Sequence, residues 1–435
     1  MDRDGEYSIA HSLQRFEERY CRTLTLNEYK ELTKTVRNLI ATKTSISDVK
    51  ELSPKNTQYV VSLEFAGIEV IATYETARDT ITTFLPNKQE KVTLVTTGAD
   101  NDAATVNVLY ELARRPYVSH VYGLPDLTFN TPCPVGTSVE VYKHIYPPWI
   151  GDDIGCGVVL FKLRELRANV SHKDVANKLL LGYLDADVTS EKRIGKEHYG
   201  ITNSDFDGNL GTIGGGNHFA ELMVIENGEL DPTHLYLCVH SGSRDFGVYV
   251  QSLFKDHNVI HRDAPKFAKF MNWHDQCIEW ARLNRELIAA KFCKAAGLTI
   301  DNKLYELTHN FIERNGDLLI HRKGSIPSKN GPAMIPGSRG NFSYLVRNGG
   351  PLHSLPHGAG RLMSRKMAKE FLGHLTVKEM VTTDMNSYVV TNSKSILITE
   401  HPDCYKDINR IIEMLSTDYG VQVMAQFRPL VTVKY

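Results

Sequence analysis

The sequence predicts an α+β fold with one large body and a small N-terminal α/β appendage. Two observations support this prediction: short β-branched runs alternate with glycine-rich turns, and a few longer stretches have helical spacing. At 435 residues, the chain is longer than the roughly 250 to 300 residues at which a single core stops growing. The mixture favours an α+β body over a regular doubly wound sheet.

The appendage is predicted within residues 1–86. Leu26–Ala41 has helical spacing, and two β-branched runs follow it, Tyr59–Phe65 and Ile68–Tyr74. Because Ala66-Gly67 separates the two runs, we expect a hairpin. No function is assigned to this accessory unit.

The turn-prone segment Pro86–Glu90 predicts a linker, which places the main domain at residues 91–435. A strand is expected directly after Lys91, with the sequence VTLVTT. Helices are predicted after a capping Asp102, across Phe267–Ala296, and from Ile408 to Leu415 with closure at Gly420.

Composition limits the classes of function. Lys and Arg total 50 against 51 Asp and Glu, so any contact with phosphate must come from local basic clusters. The seven cysteines are scattered and odd in number, which argues against a secreted disulfide framework. The N-terminal sequence lacks the features of a signal peptide, and no run of about 18 apolar residues occurs. We therefore expect a cytoplasmic protein without membrane association.

The first segment with chemical potential is Gly151–Gly157. It places Asp153 and Cys156 three residues apart, between glycines that let the backbone turn sharply. A carboxylate with a thiolate suits a divalent metal such as zinc, manganese or iron. A buried structural cysteine beside a turn aspartate is the alternative.

Two further segments add imidazoles and a guanidinium. Asn217, His218 and Glu221 follow a glycine-rich approach, which permits close contact with phosphate but is neither a Walker loop nor a Rossmann fingerprint. His240 and Arg244 follow the strand-like run LYLCV, and the fork of an arginine matches phosphate. Taken singly, each segment is also compatible with a tight turn or a strand end.

The remaining segments lie in the last third of the chain. His309-Asn310 lies in a helix-compatible context, where a surface histidine is the simpler interpretation in isolation. Cations, hydroxyls and an uncrowded histidine then follow, in an arrangement that suits a triphosphate or an RNA phosphate. These residues are Lys323 in HRKG, Ser338 and Ser343 in PGSRGNFS, and His357 and Arg361 in HGAGR. Lys366 and Lys369 are interpreted as a solvated helix face.

The order of these motifs resembles the RtcB family of RNA ligases. The series runs DIGCG, GGGNHF, HSGSR, HN, HRKG, PGS, HGAGR and a terminal VK, and it spans about residues 91–435. The stretches GLPDL and IYPPWIGDDIGCG are most similar to the branch associated with a translation release-factor-like protein. The resemblance implies an RtcB-like mixed α/β body with central β-sheets and surrounding helices.

The resemblance also implies cofactors. Two Mn²⁺ ions per chain would share the Cys156 thiolate, one with Asp153 and His218 and the other with His240 and His309. His357 matches the histidine that carries a guanylate from GTP, and Asp126 of GLPDL would orient its ring. Guanylate-binding positions are matched by Asn217, Glu221, Ser338, Ser343, Arg361, Tyr405 and Lys434. Phosphate or RNA contacts are matched by Arg244 and Lys323.

The implied activity is the joining of RNA 2′,3′-cyclic phosphate or 3′-phosphate ends to 5′-hydroxyl ends, in a broken tRNA or rRNA. Two departures from the family pattern leave alternatives open. Residues 127–132 stand where the family usually shows His-x-Gly and a glycine-rich run, which motivates a metal-dependent RNA-end phosphodiesterase without efficient sealing. Asp245 replaces the glycine that usually follows Arg244, which motivates, together with the appendage, a non-catalytic RNA- or ribosome-binding module. The oligomeric state stays open.

Overall fold

The structure is a computed structural model that describes residues 3–42, 49–51, 57–85, 91–95, 101–256, 258–350 and 353–435. The helices are α1 Arg3–Tyr20, α2 Leu26–Thr42, α3 Ala103–Ala113, α4 His172–Gly182, α5 Thr189–His198, α6 Asp245–Phe254, α7 Pro265–Ala296, α8 Arg365–Leu372, α9 Val377–Met380, α10 Lys394–Thr399 and α11 Ile408–Tyr419. None of these helices is both long and apolar enough to cross a bilayer.

The strands of the first half are β1 Val49–Glu51, β2 Gln58–Phe65, β3 Ile68–Glu75, β4 Thr80–Leu85, β5 Val92–Leu94, β6 Val118–Thr128, β7 Val135–Tyr142, β8 His144–Ile145, β9 Gly157–Leu166, β10 Phe219–Gly228 and β11 His234–Ser241. Those of the second half are β12 Ile260–His261, β13 Ile300–Thr308, β14 Asn310–Asn315, β15 Leu318–Lys323, β16 Ser325–Pro327, β17 Ala333–Ile335, β18 Ser343–Arg347, β19 Ser354–Pro356, β20 Tyr388–Val390 and β21 Gln422–Val433. Pairing among the described strands is mostly antiparallel, which confirms the predicted α+β class.

The N-terminal residues form a sheet in the order β1-β2-β3-β4 with α1 and α2 packed against it. The predicted helix and hairpin are confirmed, whereas α1 was not predicted. α1 covers the outer edge of β4, where Ser12 Oγ donates to Ile81 O at 2.7 Å and Tyr20 OH donates to Leu85 O at 2.7 Å. Covered carbonyls cannot pair with another strand, so this edge is protected from aggregation. The predicted linker Pro86–Glu90 lies outside the described residues.

The body is built on an eight-stranded sheet whose main path is β13-β9-β11-β10-β21-β18-β17, with β20 joined to β21 in parallel. Its central strands are buried on both faces. In β11, for example, Leu237 and Val239 pack into one hydrophobic cluster and Tyr236 and Cys238 into another. Because side chains alternate along a strand, one sheet therefore supports two cores.

A second sheet has the order β14-β15-β7-β6-β5, and the long helix α7 packs against β9 and β11 of the first sheet and against α4, α5 and α6. Pro265 begins α7, and Gly297 ends it in the left-handed conformation at φ +72°. Asp102 caps α3 by accepting from Thr105 N at 2.7 Å, and Gly420 closes α11. These predicted helices are therefore confirmed, and the strand after Lys91 is described over Val92–Leu94.

One local prediction was wrong. His309 and Asn310 lie at the junction of β13 and β14, in extended backbone and not in a helical context. β13 pairs with β9, and His309 N donates to Cys156 O at 2.8 Å. This pairing overrides local helical preference and buries the His309 side chain, which is 1% exposed.

We predict that Leu237→Ala lowers the free energy of unfolding by about 2 to 5 kcal/mol, because it leaves a cavity in the middle of β11. The matched control is Leu181→Ala, since Leu181 is 82% exposed and its truncation should change stability by less than about 0.5 kcal/mol. Urea unfolding monitored by circular dichroism measures both. Equal effects of the two substitutions would contradict the described core.

Candidate functional site

Cys156 lies at the end of the tight turn that leads into β9. Gly155 adopts φ +84°, and a Cβ on it would lie 2.9 Å from the Cα of Ile278 in α7. Glycine therefore lets the turn approach the helix closely. The Cys156 Sγ lies 3.3 Å from His218 Nε2 and 3.3 Å from His240 Nε2.

Two more predicted ligands extend this cluster. Asp153 Oδ2 lies 2.9 Å from His218 Nε2, on one side of the thiol. On the other side, His240 Nε2 lies 3.3 Å from His309 Nε2. The structure therefore brings together all five residues for which the sequence predicted a metal role, in a chain Asp153, His218, Cys156, His240, His309.

The chemistry of this donor set fits a cation. His218 Nδ1 donates to Ile213 O at 3.1 Å, so in the neutral ring Nε2 presents its lone pair to the thiol. Burial lowers the pKa of His240 and of His309, which keeps both rings neutral. Their Nε2 atoms face each other, and a metal ion would satisfy both lone pairs. Burial raises the pKa of the Cys156 thiol, because the thiolate is unfavourable away from water. A bound cation would stabilise the thiolate and offset this effect.

His357 stands next to this cluster, and its ring centroid lies 4.9 Å from that of His309. Its Nδ1 donates to Asp126 Oδ2 at 2.5 Å, and its backbone N donates to the same oxygen at 3.0 Å. Asp126 is fully buried. This pair favours the tautomer with the proton on Nδ1, in which Nε2 carries the lone pair. The predicted partnership between Asp126 and His357 is thus present as a hydrogen bond.

His357 opens into a cavity of about 810 Å³, in the upper part of the range of about 300 to 1,000 Å³ for ligand sites. The predicted nucleotide-binding residues that line it are Asn217, Glu221, Ser338, Arg361, Tyr405 and Lys434. Ser343 does not line it; its Oγ accepts from Gly337 N at 3.1 Å and so supports the loop that carries Ser338.

Glu400 was missed by the sequence analysis. It lines the cavity and is 1% exposed. Its Oε1 lies 3.2 Å from Arg361 Nη1, its Oε2 lies 3.7 Å from Lys434 Nζ, and Tyr405 OH donates to Oε2. The available signal was a carboxylate five residues before Tyr405, but such spacing is not specific by itself. Glu400 is therefore a buried anion that balances the charge of nearby Arg361, Arg365 and Lys434.

The two predicted phosphate contacts lie just outside the cavity lining. The guanidinium of Arg244 lies over Gly214, where a Cβ would overlap it. Lys323 Nζ donates to Cys133 O at 2.7 Å and to Asn130 Oδ1 at 3.1 Å, so it fixes the segment that follows Asp126. Asp245 begins α6, where a negative charge is favourable, and accepts from Asn209 Nδ2 at 2.8 Å.

Glu221 and Lys434 form the inner wall of the cavity. Burial raises the pKa of Glu221 to about 7, and Thr432 Oγ1 donates to its Oε2 at 2.6 Å. Burial lowers the pKa of Lys434 to about 8, and its Nζ donates to His218 O at 3.0 Å. Both groups therefore change charge close to neutral pH, and polar ligand atoms at this wall would compensate for the burial.

We predict that the free energy of unfolding of the wild type falls, relative to Glu221→Gln, by up to about 3 kcal/mol between pH 4.5 and 7. The folded-state pKa exceeds the unfolded value of 4.5, so the folded protein binds more protons in this window. The stability that this proton uptake contributes to the wild type is fully present below pH 4.5 and is lost as the pH rises through 7. Urea unfolding at several pH values measures the difference.

The matched control for this prediction is Glu197→Gln, because Glu197 is exposed on α5. Its stability should follow that of the wild type across the window. If the difference between the wild type and Glu221→Gln stayed constant with pH, Glu221 would not be held in its protonated form by burial.

Comparisons with known proteins identify the family of this chain. The family model described as "tRNA-splicing ligase RtcB" matches residues 197–435. RNA-splicing ligase RtcB2 of Escherichia coli strain ATCC 25922 is 32% identical over 358 residues, which cover 77% of this chain and 92% of the relative. RNA-splicing ligase RtcB of Escherichia coli K12 is 24% identical over 419 residues, with 80% and 98% coverage. tRNA-splicing ligase RtcB of Nanoarchaeum equitans is 29% identical over 320 residues, with 58% and 64% coverage. The chain therefore belongs to the RtcB family of RNA ligases.

Proposed function

We propose that the protein is a GTP- and Mn²⁺-dependent RNA ligase that joins 2′,3′-cyclic phosphate or 3′-phosphate ends to 5′-hydroxyl ends through a guanylate on His357. The observation that carries this proposal is the position of His357. Its Nδ1 is held by buried Asp126, its ring lies against the cluster of metal donors, and it faces the large cavity. This arrangement suits a nucleophile whose attack develops charge on phosphate oxygens.

Asp153, Cys156 and His218 would hold one Mn²⁺, and Cys156, His240 and His309 would hold the other. The mutual approach of these donor atoms at 2.9 to 3.3 Å supports this assignment. When bound, the metal ions supply positive charge that neutralises the phosphate oxygens of GTP and RNA.

The nucleotide occupies the cavity. Glu221, in its ionised form, accepts hydrogen bonds from the guanine edge, and Lys434 contacts the same base. Asn217, Ser338, Arg361 and Tyr405 contact the base, ribose or phosphates, and Ser343 contributes through the loop it supports. Arg244 and Arg365 approach the glycine-rich loop, since a Cβ on Gly216 would lie only 2.9 Å from Arg365 Nη2. Two guanidinium groups beside exposed backbone amides support binding of phosphate there, with Lys323 holding the neighbouring segment.

His357 Nε2 attacks the α-phosphorus of GTP, the P–N bond forms, and pyrophosphate leaves. Asp126 stabilises the positive charge that the ring acquires. An oxygen of the RNA 3′-phosphate then attacks the guanylate phosphorus, which breaks the P–N bond and restores neutral His357. The 5′-hydroxyl attacks the activated 3′-phosphate, and GMP leaves. A 2′,3′-cyclic end is first opened by water to a 3′-phosphate.

Residues 1–86 act as an accessory domain and residues 91–435 as the catalytic domain. The N-terminal hydrophobic cluster includes only residues between Ile9 and Phe84, which supports this division. The relatives are named as RNA-splicing and tRNA-splicing ligases, which supports a broken tRNA or rRNA as the substrate. The reaction takes place in the cytoplasm, in keeping with seven unpaired cysteines, and the similarity in GLPDL motivates a release-factor-like partner.

The first experiment is intact-protein mass spectrometry after incubation with MnCl₂ and GTP, followed by peptide mapping. The wild type is expected to gain one acid-labile guanylate on His357. His357→Ala should gain none and should retain its bound manganese, because His357 acts as a nucleophile and not as a ligand. His374→Ala, which removes an exposed histidine, is the matched control and should be modified like the wild type. A wild type with bound manganese and no adduct would contradict the proposal.

We further predict that Cys156→Ala removes both manganese ions, because a bridging thiolate serves both sites. Metal content is measured by inductively coupled plasma mass spectrometry on protein dialysed against MnCl₂ and then metal-free buffer. Cys293→Ala, at a buried cysteine in the hydrophobic cluster around α7, should retain about two ions per chain. Two ions in Cys156→Ala would exclude the bridging role.

A further inference from the structure

Phe129 is an aromatic residue at the rim of the cavity to which none of the roles above has been given. It lines the cavity, yet 54% of its surface is exposed. It belongs to the segment after Asp126 that departs from the family pattern. A large apolar ring exposed to solvent is a favourable contact surface for an apolar ligand face, because the contact removes the ring from water.

The backbone around Phe129 is held firmly. Lys406 Nζ donates to Pro125 O at 2.9 Å and to Leu127 O at 3.0 Å. Thr128 Oγ1 accepts from Arg361 N at 3.0 Å, and Asn130 Oδ1 accepts from Lys323 Nζ at 3.1 Å. The backbone that carries the ring is therefore preorganised, so a ligand that contacts Phe129 bears little of the entropy cost of ordering this segment.

The two ends of the cavity differ in chemistry. The inner end offers buried polar groups, with Glu221 4% and Lys434 5% exposed, which suit the hydrogen-bonding edge of one nucleobase. The rim offers exposed apolar and cationic groups instead. Phe129 is accompanied there by Leu362, which is 52% exposed, by Met367, which is 44% exposed, and by Arg365.

We propose that Phe129 is a stacking platform for the terminal base of the RNA 3′ end. This inference rests on the proposed function, in which the cavity holds a guanine at its inner end and receives an RNA end from solvent. Sites for single-stranded nucleic acid combine cations that follow the backbone with aromatic rings on which bases stack, and the stacking tolerates any base. Phe129, with Arg365 on the same rim, supplies this combination.

The test measures binding of a 5′-fluorescein-labelled oligouridylate with a 3′-phosphate by fluorescence anisotropy, without GTP. Phe129→Ala is expected to weaken binding by about 5- to 150-fold, since stacking on one base contributes about 1 to 3 kcal/mol. Phe129→Trp preserves an aromatic face and should bind within about 3-fold of the wild type. Because Phe129 is exposed, neither substitution should unfold the protein.

A matched oligonucleotide with an abasic 3′-terminal nucleotide identifies the contact. The wild type should bind the abasic RNA about as much more weakly as Phe129→Ala binds the complete RNA. Phe129→Ala should bind the two RNAs with equal affinity. If Phe129→Ala instead bound both RNAs more weakly than the wild type by the same factor, the stacking proposal would be overturned. A slower guanylylation of Phe129→Ala in the absence of RNA would likewise overturn it, because the ring would then serve the nucleotide.

The same proteins separate this inference from the proposed function. Guanylylation of the wild type tests the ligase chemistry, whereas anisotropy tests the RNA contact without requiring catalysis. A wild type that is not guanylylated but distinguishes the two RNAs would reject the ligase proposal and support the platform. A wild type that is guanylylated but binds both RNAs equally would support the ligase proposal and reject the stacking platform.

Discussion

The buried pair Asn284 and Arg285, near the middle of α7, holds together the segments that carry the proposed metal ligands. Arg285 Nη1 donates to Gly155 O and to Ser241 O, both at 2.9 Å, beside Cys156 and His240. Asn284 Oδ1 accepts from Gly211 N at 2.8 Å, and its Nδ2 donates to Gly242 O at 3.3 Å. One turn of helix therefore fixes three separate loops. Arg285 is fully buried and pairs with Glu306, and loss of such a partner typically costs about 3 to 5 kcal/mol.

This fixed frame explains why glycines surround the donors. Backbones that converge on one point leave no room for side chains: a Cβ on Gly155 would press on α7, and one on Gly242 would overlap the Asp153 carboxylate. The same convergence removes water from the imidazoles and the thiol. Burial lowers the pKa of His240 and of His309 and raises the pKa of the Cys156 thiol, so the neutral forms of these three groups are favoured. Neutral imidazoles and a thiol gathered at one point are suitable ligands for the proposed cation.

Many residues of this site could be predicted because they belong to short motifs that follow one another in a recognisable order along the chain. Asp153 and Cys156 lie in a glycine-bounded turn, and His218 and His240 lie at strand ends, where sequence patterns are informative. The confirmed helices had explicit caps, such as Asp102 and Gly420. The wrong context for His309 has a tertiary cause, because pairing of β13 with β9 decides its conformation. Asn284, Arg285 and Glu400 could not be found, because their roles arise from contacts between distant segments.

Glu400 stabilises the positive charge that lines the cavity. Three cationic side chains, Arg361, Arg365 and Lys434, approach this single buried carboxylate. Like charges so close would repel one another in a site of low dielectric, and the carboxylate offsets that repulsion. A phosphate in the proposed nucleotide site would compete with Glu400 for these cations, of which Arg361 and Lys434 are already largely buried. Folding therefore already brings the cations together around a carboxylate. A bound phosphate would share these cations with Glu400.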